Sequence, residues 1–138
     1  MLDSSKNEFS KKTRKKYLFE ISNWEDSFIF ISEEIKFLGK LLSSGIYEPD
    51  IPNLYKRLQQ FSKKLQDLKN EEIRWEEEIE KHKTNFAKEL EENEEPNGSL
   101  IDRTHIQLRN NINAFSKKIS DLKLEIFHYT GNILRKSG

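Results

Sequence analysis

The chain has 138 residues, and its 24 Lys and Arg residues balance 24 Asp and Glu residues, so the formal net charge is zero. A dedicated nucleic-acid-binding protein usually carries a basic excess, because phosphate neutralisation supplies most of its affinity. No cysteine is present, which excludes disulfides, thiolate zinc sites and a cysteine nucleophile. The apolar share of 34% is low for a thick core and suits amphipathic helices that each bury one stripe.

The amino-terminal sequence MLDSSKNEFSKK lacks the apolar segment of a signal peptide. The longest uncharged apolar run, around SFIFIS, is far shorter than the about 20 residues that cross a bilayer. We therefore expect a cytoplasmic protein without a transmembrane segment.

The first predicted helix covers about residues 5–44. Ser5 and Glu8 fit a capping box at its start, and Gly45 fits a stop at its end. From Tyr17 onward, apolar residues recur at alternating steps of three and four, as in the heptad seam of a coiled coil. This seam consists of Ile21, Trp24, Phe28, Ile31, Ile35, Leu38 and Leu42.

The second predicted helix covers about residues 51–94 and follows a connection, GIYEPDIPN, that holds two prolines. Asp50 is a suitable N-cap, and Pro52 is tolerated in the first turn. The same rhythm of three and four continues through Ile51, Leu54, Leu58, Phe61, Leu65, Leu68, Glu72, Trp75, Ile79, His82 and Phe86.

The third predicted helix covers about residues 99–135, after the break NEEPNGS. Ser99 fits an N-cap, Asp102 favours the positive end of the helix dipole, and Gly131 suggests fraying near the end. The seam here consists of Ile101, His105, Leu108, Ile112, Phe115, Ile119, Leu122, Ile126, Tyr129 and Ile133.

Three such helices with short connections predict an all-α fold, an elongated, antiparallel, up-down-up three-helix bundle resembling a coiled coil. We expect one domain over residues 1–138. The simplest register places Leu42 opposite Leu54, which brings Arg14 to the level of His82 and Lys11 to that of Phe86.

Five basic residues lie in the segment KKTRKK, residues 11–16. In the predicted register they lie beside the acidic second half of the second helix, so charge pairing within the molecule is the simplest interpretation. The alternative is a patch that binds nucleic acid or an anionic membrane through Lys11, Lys12, Arg14, Lys15 and Lys16. The segment does not favour nucleic acid as a partner, because no aromatic residues are interleaved for base stacking.

Three polar residues, Glu72, His82 and His105, occupy seam positions. We expect Glu72 to share a layer with Trp24 and to help set the register. The two histidines fall about one layer apart, with Glu78 one turn before His82. Metal sites in bundles carry repeated Glu-x-x-His motifs, which these histidines lack, so no metal and no cofactor are expected.

Several large apolar residues lie off the seams, where a three-helix core does not easily cover them. They form one stripe on the first helix (Phe30, Phe37 and Leu41) and a second stripe on the third helix (Leu124, Phe127 and Leu134). The predicted register brings both stripes toward the same end of the bundle. Supercoil drift is one explanation. The other is a partner-binding surface, most simply of a homodimer. The residues that we expect to bind a partner are Phe30, Phe37, Leu41, Leu124 and Phe127.

Catalytic motifs are absent: there is no Gly-rich phosphate loop, no G-x-S-x-G and no H-E-x-x-H. We expect no catalytic residues and no small-molecule substrate. The leading hypothesis is a non-enzymatic structural or protein-interaction module that self-associates or docks a partner helix.

The stretch YLFEISNWEDSFIFISEEIKFLGKLL places a Trp in a heptad seam, followed by an E-x-x-F-L-x-x-L-L segment and then a long acidic coiled coil. This pattern resembles short bacterial helical proteins of uncharacterised function. Its up-down-up layout also resembles spectrin-type three-helix repeats. Neither resemblance implies a catalytic or binding residue.

Overall fold

The computed structural model describes the backbone of residues 2–91 and 100–134, and the side chains of residues 11–91 and 100–134. It contains three helices, α1 (Leu2–Ser43), α2 (Leu54–Glu91) and α3 (Leu100–Asn132), each in contact with the other two. Within the described residues, extended structure is limited to one isolated bridge, between Tyr47 and Leu134. The predicted all-α three-helix bundle is confirmed.

The helix ends differ from the predicted ones at several points. Because α1 begins at Leu2, Ser5 lies inside the helix and is not its N-cap. Asp50 is not a cap either, since α2 begins only at Leu54, where the Arg57 amide donates to the Asn53 carbonyl at 2.9 Å. Asn53 has a φ of 60°, a left-handed conformation that Asn tolerates better than most residues. The predicted cap Ser99 lies outside the described residues.

The chain forms two compact units. The first unit combines Met1–Phe28 with Arg74–Ala114. In it, α1 runs antiparallel to α2, since Tyr17 packs near Phe86 while Glu25 lies 3.2 Å from Lys83. Its core contains the seam residues of all three helices, among them Ile21, Trp24, Ile79, Leu108 and Ile112.

The second unit combines Ile29–Ile73 with Phe115–Gly138. In it, α2 runs antiparallel to α3, because Glu71 pairs with Lys118 and Lys64 with Glu125. The seam residues are again buried, including Ile35, Leu38, Phe61, Leu65, Ile119 and Ile126. Heptad spacing therefore identified the buried stripe of every helix correctly.

The register between α1 and α2 is wrong in the prediction by about two helical turns. Tyr17, rather than Lys11, lies beside Phe86, with ring centroids 6.1 Å apart. Trp24, rather than Arg14, lies beside His82, with ring centroids 6.4 Å apart. The layer of Trp24 consequently contains His82 and His105 instead of Glu72, which is nevertheless buried.

The cause of this shift is the connection between α1 and α2. It does not turn tightly from Leu42 to Leu54, because Tyr47 folds inward and is buried with Leu54 and Ile133 in a small separate cluster. The Glu48 amide donates to the Ile133 carbonyl at 3.0 Å, and the Tyr47 hydroxyl donates to the Leu41 carbonyl. The connection thereby covers the apolar residues Leu54 and Ile133 at a level where α1 has already ended.

Candidate functional site

An ion pair in the second unit shows which sides of α1 and α3 meet. Lys123 Nζ lies 3.2 Å from Glu34 Oε1. Residues three or four positions apart share one helix face, so Phe30 and Phe37 lie on the same side of α1 as Glu34. By the same spacing, Phe127 lies on the side of α3 that carries Lys123. The two predicted apolar stripes therefore border a single seam between two helices.

Four large apolar residues along this seam are substantially exposed. The exposed fraction is 72% for Phe30, 56% for Phe37, 56% for Leu124 and 42% for Phe127. Leu41, two turns after Glu34, is half-buried. We call these five residues the apolar face. All five were predicted from their off-seam positions, and they belong to the same unit.

Leu134 does not extend the stripe on α3 as expected. The helix ends at Asn132, and Leu134 follows it in the bridge with Tyr47. Gly131, where fraying was expected, lies within α3. The apolar face therefore ends on α3 near Phe127.

At the seam that the apolar face borders, Glu34 is paired with Lys123. The seam between α2 and α3 has a different character. A cleft of about 380 Å³ there is lined mainly by charged residues, and its ion pairs are Lys118 with Glu71 and Lys64 with Glu125. The seam between α1 and α3 is therefore the more apolar of the two.

Two other exposed isoleucines, Ile29 and Ile73, are 64% and 47% exposed. Ile73 lies on α2 and so does not belong to the apolar face. Because it is an exposed apolar residue of the same unit, it provides a matched control for substitutions in the face.

The basic segment lies on α1 in the first unit. The side chains of Lys11, Lys12, Lys15 and Lys16 are exposed, whereas that of Arg14 is half-buried. Two ion pairs join α1 to its neighbours in this unit without the basic segment. In both of them α1 supplies the acid, as Glu25 to Lys83 and as Glu20 to Arg109.

A buried histidine pair occupies the core of the first unit. His82 Nε2 and His105 Nδ1 lie 2.8 Å apart, so the two side chains share a hydrogen bond. They lie in the same layer, whereas the prediction placed them about one layer apart. The ring of His105 stacks on Tyr17 at 3.7 Å and lies 4.8 Å from Trp24. Both histidines are almost completely buried.

Glu20 and Arg109 flank this pair. Arg109 donates two hydrogen bonds to the Glu20 carboxylate, at 2.6 and 2.7 Å, and His105 Nε2 lies 3.8 Å from Glu20 Oε1. Burial alone would raise the pKa of Glu20, but the hydrogen bonds and charge of Arg109 outweigh it and lower that pKa. The heptad pattern did not reveal this pair, although Glu20 and Arg109 each lie one position beside a seam residue.

The environment of the pair favours one neutral arrangement of its protons. A proton on His105 Nε2 faces the Glu20 carboxylate, which leaves His105 Nδ1 to accept a hydrogen bond from His82 Nε2. Burial lowers the pKa of His82, and burial together with His82 lowers the pKa of His105 to about 4. Burial and then the hydrogen bond to Asp102 raise the pKa of Tyr17 to about 12.

The histidine pair does not form a metal site in this arrangement. Two nitrogens that ligate one zinc ion at about 2.0–2.1 Å stand about 3.3 Å apart, more than the 2.8 Å observed. Glu78, the carboxylate considered with them, is exposed. Among the described residues, no group of three or more His, Asp or Glu side chains is arranged to hold a metal ion.

Comparison with protein-family models, with curated proteins and with solved structures finds no match for this chain. The resemblance to short bacterial helical proteins therefore stays a prediction. In the part of the chain that the structure describes, no helix is long and apolar enough to cross a membrane.

Proposed function

We propose that the protein is a non-enzymatic interaction module, which binds an apolar helix face of a second protein molecule against its own apolar face. The observation that carries this proposal is the convergence of Phe30, Phe37, Leu124 and Phe127, each at least 42% exposed, along one seam between α1 and α3. Exposed Phe side chains in water are unfavourable, because burying one is worth roughly 1.5–3 kcal/mol. Several of them on one face therefore favour a surface that a partner covers.

The composition of the face also indicates the class of partner. The charged pair at its seam, Glu34 with Lys123, is satisfied within the chain, so apolar contact supplies most of the affinity for a partner. Exposed charges at the edge of the face mainly set the orientation of that partner. Two parallel rows of large side chains along a helical seam accept a further helix, either laid between them or packed face to face. Self-association and docking of a helix from another protein are the two forms of this function.

The test is affinity capture from the native cell with the full chain as bait, alongside Phe37→Glu and Ile73→Glu baits. The proposal predicts partners, either other proteins or a differently tagged copy of the chain, that the wild-type and Ile73→Glu baits retain and the Phe37→Glu bait loses. If all three baits retain the same proteins in the same amounts, the apolar face is not the binding surface.

A further inference from the structure

The partner that best fits the apolar face is a second copy of the same chain. We propose a twofold-symmetric homodimer in which the apolar faces of two copies pack together, with α1 of one copy antiparallel to α1 of the other. This inference rests on the proposed function and names the occupant of the same face. Three observations support it: the available area, the charge order along α1 and the position of the centre of the face.

The first observation is the area that the face offers. A Phe side chain buries about 150–250 Å² in a core or interface, so the exposed parts of Phe30, Phe37, Leu124 and Phe127 offer about 400 Å² per chain. Two copies together would bury about 800 Å², and the aliphatic stems of Lys36 and Lys40 at the edge bring the total to about 1,000 Å². This is the lower bound for a specific interface. A weak dimer with a Kd in the micromolar range is therefore expected.

The second observation is the order of exposed charges on α1. Glu33 and Lys40 are both exposed and lie seven residues apart, so they follow the same line along the helix. Glu33 also lies 3.6 Å from Lys36 of its own chain, but an exposed pair of this kind contributes little to stability and can give way to a contact with the other copy. Parallel α1 helices around a twofold axis would place Glu33 against Glu33 and Lys40 against Lys40 of the other copy, which is repulsive. Antiparallel helices can instead place Glu33 of each copy against Lys40 of the other.

The third observation is that a single twofold axis can pass through the middle of the apolar stripe and also place Glu33 of each copy opposite Lys40 of the other. The apolar stripe on α1 extends from Phe30 to Leu41, and its midpoint falls between residues 35 and 36. The midpoint between Glu33 and Lys40 falls between residues 36 and 37, about 1.5 Å away along the helix. A twofold axis through the middle of the stripe thus brings both acid–base contacts into place and sets Phe37 of each copy near the axis.

The position of Phe127 along α3 is also consistent with the proposed twofold axis near Phe37. Glu34 and Lys123 are paired on parallel helices, and Phe37 and Phe127 lie three and four residues beyond them. The two rings consequently stand at nearly the same height on either side of the seam. A second copy related by the axis would meet both rings of the first copy at the centre of the interface, where large aromatic residues contribute most.

The test is sedimentation equilibrium of the full chain at low salt, with the single variants Glu33→Lys and Lys40→Glu and the double variant carrying both. Each single reversal places like charges in both contacts, so we expect the Kd to rise about tenfold. The double variant restores opposite charges and should return the Kd to within about twofold of the wild type. Asp67→Lys, an exposed reversal on α2, is the control and should change the Kd less than twofold.

Two results would overturn the inference and leave the proposed function standing. A chain of 16.5 kDa at every concentration up to several hundred micromolar excludes a second copy as the occupant. A dimer whose Kd does not change with the single reversals excludes the antiparallel arrangement. The proposed function itself fails separately, in the capture experiment with the Phe37→Glu bait.

Discussion

His82 Nε2 and His105 Nδ1 lie 2.8 Å apart in the core of the first unit, with His105 stacked on Tyr17. This neutral pair makes the stability of the fold depend on pH. Burial lowers the pKa of both side chains, so in the folded state they take up protons only at a lower pH than in the unfolded state.

The first prediction is therefore a loss of stability as the pH falls from about 6.5 toward 4. Below pH 6.5 the unfolded chain binds more protons than the folded chain, and the free energy of unfolding decreases. For His105 alone, with a folded pKa of about 4, the loss between pH 7 and pH 5 is about 2 kcal/mol. Urea denaturation at a series of pH values measures this decrease in the free energy of unfolding.

The matched control for this prediction is His128, which is exposed on α3. His128→Gln keeps the buried pair and should retain the loss of stability that this pair causes between pH 7 and 5, whereas the double variant His82→Leu and His105→Leu should remove most of it. Equal slopes in the wild type and the double variant would show that the buried pair does not titrate as described.

The second prediction compares two ion pairs that join α1 to its neighbours. Glu20 and Arg109 share two short hydrogen bonds and are mostly buried, whereas Glu25 and Lys83 form an exposed pair. Glu20→Gln should lower the free energy of unfolding by about 1.5–3 kcal/mol, because Arg109 loses a charged acceptor. Lys83→Ala should cost less than about 1 kcal/mol. Thermal denaturation at pH 7 that gave equal losses would contradict this ranking.

The third prediction concerns the connection between α1 and α2. Tyr47 is buried with Leu54 and Ile133, so Tyr47→Ala should destabilise the fold by about 3–5 kcal/mol. Tyr47→Phe keeps the ring and loses only the hydrogen bond to the Leu41 carbonyl, at about 1 kcal/mol. Ile46→Ala, next to it and 45% exposed, should have little effect on urea denaturation. A mild effect of Tyr47→Ala would mean that this cluster does not hold the end of the unit together.

The helices and their buried stripes could be predicted because each depends on local spacing. Ile21, Ile35, Phe115 and Ile126 face the core because positions three or four apart lie on one side of a helix. The register could not be predicted in this way. It depends on the path of the connection, and nothing in the local pattern showed that Tyr47 would fold inward.

The candidate site was predictable in part for the same reason. Phe30, Phe37, Leu124 and Phe127 were expected to be exposed, because they lie off the heptad seams. The side of each helix on which they converge became clear only through the pair of Glu34 with Lys123, a contact between distant parts of the chain. The hydrogen bond between His82 and His105 could not be predicted, because its prediction required the correct register.

The fourth prediction concerns the basic segment. Lys11, Lys12, Lys15 and Lys16 are exposed, but a chain of zero net charge should bind nucleic acid or anionic vesicles weakly. We expect no binding of duplex DNA or of phosphatidylserine vesicles to micromolar protein at 150 mM salt, measured by fluorescence anisotropy and co-sedimentation. Strong binding that salt abolishes, and that is lost when these four lysines are replaced by alanine, would establish the alternative function.

The central claim is that the apolar face mediates association, and the molar mass in solution tests its homodimeric form most directly. Size-exclusion chromatography with light scattering should give a mass that rises with concentration from 16.5 kDa toward twice that value, for the wild type and for Ile73→Glu. Phe37→Glu should stay at 16.5 kDa with an unchanged circular dichroism spectrum. A Phe37→Glu variant that associates as strongly as the wild type would contradict the account.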